Sequence, residues 1–161
     1  MRTFGRACIN CWHVTFGSAC IIFASITSAT TLTSSAQVQI VDELSVAELK
    51  KMDFGVIDSR NGKCRMDVDG ALTGTDGQNC SGLSIPGEFR ISGSQDQLIE
   101  ISVESSSPVD GIVFNPELAD GPAYTLSSEG ETTIKVVGEL VLNSATAGAK
   151  SISYTLTANY Q

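Results

Sequence analysis

The chain has 161 residues, enough for one domain with its own core and too few for two once a leader is set aside. It carries 18 acidic and 10 basic side chains, a net charge of −8, which argues against a nucleic-acid or anionic-membrane partner. After Arg2 and Arg6 no Asp, Glu, Lys or Arg occurs until Asp42.

Residues 1–36 read as a signal peptide: a basic start, an apolar run over 16–29, then small residues at Ser34 and Ala36 that set cleavage before Gln37. The apolar run is diluted by Ser and Thr and falls short of the roughly 20 apolar residues of a membrane span, so no membrane insertion is expected after cleavage. A lipoprotein reading would acylate Cys20, but Gly17 stands where a large aliphatic residue belongs. Cleavage leaves eight bases against eighteen acids, a net charge of −10, and two of the five cysteines, Cys64 and Cys80. In an oxidising compartment such an even pair predicts one disulfide. The protein is therefore expected to be exported, to the periplasm, the cell surface or the medium.

Residues 37–47 form an arm or a first strand, in which Val38, Ile40, Leu44 and Val46 share one parity and Asp42 interrupts them. Leu44 to Met52 is ambiguous between a helical turn and an extended arm. Residues 48–161 read as the sandwich domain. Met52 to Ile57 and Cys64 to Val68 are short strand candidates within a Gly-, Asp-, Asn- and Ser-rich stretch. Residues 61–87 of that stretch are expected to contribute little core and to be ordered by the disulfide.

Phe89 and Ile91, then Ile99, Ile101 and Val103, alternate with polar residues on either side of a turn at Gly93-Ser94-Gln95-Asp96. Ile112 to Phe114 and Ala123 to Leu126 are further short candidates. Ile134, Val136, Gly138, Leu140 and Leu142 share one face of a strand bent at Gly138. The clearest period of two comes last, with Ile152, Tyr154, Leu156, Ala158 and Tyr160 on one face. Many short strands punctuated by Asn-Gly and Asp-Gly predict an all-β fold, a single antiparallel sandwich of immunoglobulin-like or pilin-like type.

The only His13 and Trp12 lie in the leader, so Ser-His-Asp, Cys-His and His-metal chemistries have no histidine in the mature chain. Paired carboxylates remain, without the aromatic surfaces that sugar sites present. Asp67, Asp69 and Asp76 offer oxygen ligands for calcium, but the twelve-residue loop ending in a bidentate Glu is absent and turn aspartates are the default. No glycine-rich phosphate loop opens a helix. The reading is of a non-enzyme without cofactor.

Gly148, fourteenth from the end, and the penultimate Tyr160 resemble the C-terminal signature of chaperone-usher pilins. More broadly the mature chain resembles the bacterial secreted family known as domain of unknown function 4402, through Met52-Asp-Phe-Gly-Val-Ile57, Glu88-Phe-Arg-Ile-Ser-Gly93, Val136-Val-Gly-Glu-Leu-Val-Leu142 and the terminal Tyr-Thr-Leu-Thr-Ala-Asn-Tyr160. The pilin resemblance implies an incomplete sandwich whose last strand edges a groove, filled first by a periplasmic chaperone and then by the arm of a like subunit. Cys64 and Cys80 depart from the pilin pattern, in which the two cysteines lie much farther apart. On this reading Val38, Ile40, Leu44 and Val46 donate, and Gly148, Ile152, Tyr154, Leu156 and Tyr160 accept. The alternative is a self-contained binding module using the acidic loops at Asp67–Asp76 or Asp110–Asp120.

Overall fold

A computed structural model describes residues 35–78, 80 and 82–161; the leader and Cys20 fall outside these, apart from Ser35 and Ala36. Residues 39–161 form one compact unit. It is all-β, with strands β1 (Ser45–Lys50), β2 (Gly62–Met66), β3 (Leu72–Thr75), β4 (Gly87–Ser92), β5 (Leu98–Ser105), β6 (Ile112–Leu118), β7 (Ala123–Thr125), β8 (Glu131–Leu142) and β9 (Tyr154–Tyr160). They build two antiparallel sheets, one of six strands and one in the order β7-β5-β9.

The larger sheet is organised by the twelve residues of β8. Val136 pairs with both Gly87 of β4 and Leu118 of β6, so β4 and β6 lie on opposite edges of β8. Gly138 pairs with both Met66 of β2 and Pro116 of β6, so β2 continues below β4 on the same edge. Beyond these, β1 pairs with β4 and β3 with β2. Gly138 adopts φ +149°, where a Cβ would meet the Asn115 carbonyl and lie 2.9 Å from the Phe114 ring, so the central strand needs glycine here.

The inner face follows from the period of two. Ile134, Val136, Leu140 and Leu142 of β8 are buried, as are Ile91 of β4 and Ile99 and Ile101 of β5, each worth roughly 1.5–3 kcal/mol of apolar burial. The core has two parts. The upper part joins Ile91, Ile99, Ile101, Leu126 and Ile134 between the two sheets. In the other, the lower part, Ile112, Phe114, Leu140 and Leu142 pack with Cys64 and Cys80, and are covered by Met52, Phe54, Ile57 and Ile152 from outside the strands. Tyr154 connects the two parts, edge-on to Phe89 at 6.2 Å and to Phe114 at 5.5 Å, a geometry favoured by the ring quadrupoles.

Three expectations change. Leu44 to Met52 is no helical turn, since Ser45–Lys50 is a strand on β4. Met52 to Ile57 makes only single bridges, Asp53 to Ile85 and Ile57 to Cys80, because it serves as a lid on the lower core. Residues 61–87 do contribute core: Cys64 and Met66 are fully buried, because β2 is held between β3 and β8 with its alternate side chains turned inward.

Candidate functional site

Five strands have an edge with no strand partner among the described residues, and four are protected. β7 has three residues and β3 four. β6 carries Pro116 and Glu117, and β1 carries Glu48 and Lys50. Short length, proline and charge are the usual defences of a sheet edge against a foreign strand. The seven residues of β9, Tyr-Thr-Leu-Thr-Ala-Asn-Tyr, have none of them. β9 pairs along its whole length with β5, from Ile99 opposite Tyr160 to Ser105 opposite Tyr154, and with nothing on its other side among the described residues.

The inward residues of β9 fit such an edge. Tyr154, Leu156, Ala158 and Tyr160 pack on the core but remain half-buried, while Ile99 and Ile101 beside them are sealed. Across the opening lies the inward side of β1, where Val46 stands opposite Ile91 yet is 46% exposed, and Glu48 stands opposite Phe89. The Tyr154 hydroxyl is buried without a hydrogen-bond partner among the described residues. Burial, and then the Glu48 carboxylate, push it up to about 12.

The arm lies at the other end of this seam. Val38 and Ile40 are 84% and 89% exposed, while Leu44 packs against the upper core. Between them Asp42 is tied down: its N–H donates to Ser94 Oγ at 2.6 Å, and its carbonyl accepts from the Tyr160 hydroxyl at 2.8 Å. Tyr160 Oη in turn accepts from the Ser94 N–H at 2.7 Å. Asp42, Gly93 and Ser94, with Ser128, Glu129 and Gly130, line an open cleft of about 380 Å³. Of the predicted donor and acceptor residues, Val46 is already part of β1, Ile152 covers the lower core, and Gly148 sits at φ +123° with open space about it.

Sequence reading missed Asp42, Gly93 and Ser94. In the sequence Asp42 is only a break in the arm's parity, and Gly93-Ser94 only a turn. Gly93 carries a faint signal, because a Cβ there would overlap the Tyr160 hydroxyl and come 2.8 Å from Leu44 Cδ2.

In the acidic loops, Asp67 and Asp110 already have partners. Asp67 Oδ1 accepts from the N–H groups of Asp69 and Ala71, at 3.0 and 2.8 Å, the Asx turn that caps the β2–β3 connection. Asp76 takes a left-handed turn conformation, φ 57°. Asp110 pairs with Lys150 at 2.7 Å. Among the described residues no three His, Cys, Asp or Glu side chains converge as metal ligands. Cys64 and Cys80 stand at disulfide distance, Cα atoms 5.9 Å apart.

No family model matches the chain, and no curated protein or solved structure is significantly similar to it.

Proposed function

We propose that the protein is an exported structural subunit, of fimbrial or pilin-like type, that assembles by β-strand exchange. The observation that carries this reading is the undefended outer edge of β9, seven uncharged residues long, above half-buried Leu156, Ala158 and Tyr160. A strand added there gains backbone hydrogen bonds along β9 and closes the seam over the exposed apolar groups. The arm supplies a matching donor, since Val38 and Ile40 are separated by one residue and are both largely exposed. The resemblance to pilins and to domain of unknown function 4402 supports the same reading and makes a periplasmic chaperone the first occupant of the edge.

Deleting residues 37–43 tests the donor. This deletion leaves β1 intact, so the domain is expected to fold and to accept a donor but not to supply one. Purified from the periplasm, the variant is expected as monomer, alone or with a chaperone. Polymers of normal length from it would contradict donation by this arm.

A further inference from the structure

The arm is not free in the isolated subunit, because both backbone groups of Asp42 are held by side chains. Ser94 Oγ accepts the Asp42 N–H and the Tyr160 hydroxyl donates to the Asp42 carbonyl. The Ser94 N–H, donating to the same Tyr160 oxygen, fixes that hydroxyl in place. Ser94 Oγ is also 3.2 Å from Asp42 Oδ2, and Gln39 bonds Gln97 at 3.1 Å. These contacts join positions up to 118 residues apart in sequence, and they use side chains where a strand would use a neighbouring backbone.

We propose that Tyr160, Ser94 and Asp42 form a clasp that stores the arm on its own subunit, so that opening the clasp precedes donation. The clasp gets its meaning for assembly from the strand-exchange reading, but its existence is testable without it. Tyr160 ends the β9 edge and also anchors the arm, which places the lock beside the accepting strand. A side-chain tie of this kind opens without dismantling β1, whose ladder to β4 starts at Ser45.

The test uses two variants that break the clasp differently. Tyr160→Phe removes the shared hydroxyl, and Gly93→Ala introduces a methyl where that hydroxyl and Leu44 Cδ2 now lie. Hydrogen exchange is followed on the isolated monomer of the full protein, together with the rate of ladder formation on unheated gels. Each variant is expected to speed amide exchange in residues 42–44 and at Ser94 about fivefold, the equivalent of one lost hydrogen bond, with the β1 ladder from Ser45 onward unchanged. Exchange in β8 should stay unchanged, which separates local release from general destabilisation. Ladder formation should accelerate alongside. Unchanged arm exchange in both variants would overturn the clasp, and a released arm with ladders growing at the wild-type rate would overturn its role in assembly. A released arm with no ladder from any form, wild type included, would leave the clasp standing and refute strand exchange itself.

Discussion

Tyr154 shows how one side chain reports on the seam. Its ring bridges Phe89 and Phe114, but its hydroxyl is buried without a partner among the described residues, a cost of about 1–3 kcal/mol. Tyr154→Phe keeps the ring contacts and removes that cost, so urea denaturation at neutral pH should show a stability gain of about 1 kcal/mol. The phenol's pKa is raised in the folded state to about 12 from 10.0. Its neutral form is therefore favoured by folding, and the associated stability is complete below pH 10 and lost as pH rises through about 12. Tyr154→Phe should therefore move the alkaline unfolding midpoint upward. An unchanged midpoint would place the hydroxyl in water. Much of this was legible in the sequence: the period of two from Ile152 to Tyr160 identifies which side chains of β9 face the core. The Tyr160 contact to Asp42 was not, because its partners are 66 and 118 residues away and a tyrosine on an inward face reads equally well as plain core.

Among the strands, the proposed exchange depends on edges rather than on surfaces. A lysine on the solvent side of an edge strand is a common protection against added strands. Thr157, exposed on β9 and paired to Ser102, is the position for it. Thr157→Lys should suppress ladder formation while shifting the thermal midpoint by no more than about 2 °C, since exposed substitutions fall within roughly ±0.5 kcal/mol. Equal ladder formation would mean that β9 does not accept a strand. Sequence pattern located β8 and β9 well because each keeps one face apolar over many residues. At β2 it offered a strand from Cys64 to Val68 but not its core role, since the inward residues are only Cys64 and Met66, between Gly62 and Lys63 and the Asp-rich turn. A two-residue apolar face does not reveal that it is sealed until β3 and β8 are seen on either side. It also left β1 undecided, since Leu44, Ala47, Glu48 and Leu49 fit a helical spacing, and it is the open β4 edge, 38 to 47 residues later, that draws the segment into a strand.

For the whole molecule, the two-part core sets where stability is concentrated. The upper part is sealed between two sheets, whereas the lower part is covered by chain without regular structure, Met52 to Ile57 and the residues before β9. The Cys64–Cys80 link, spanning 16 residues, fastens this cover to β2 by way of the Ile57–Cys80 bridge. Replacing both cysteines by serine should cost roughly 3 kcal/mol through the larger freedom of the unfolded chain. The loss should appear first as faster hydrogen exchange in residues 52–57 and 82–85, with β5 and β9 protected longer. Uniform loss of protection would mean that the two parts of the core unfold as one.

The central claim is that the β9 edge takes up a strand from a second copy. A denaturing gel of periplasmic and surface extracts, loaded with and without heating and probed for this protein, tests it most directly. The account predicts a ladder of multimers without heating that collapses to a single monomer band when heated, as strand-exchanged polymers resist detergent until the added strand melts out. A monomer band under both conditions, from protein that purifies alone and well folded, would contradict it.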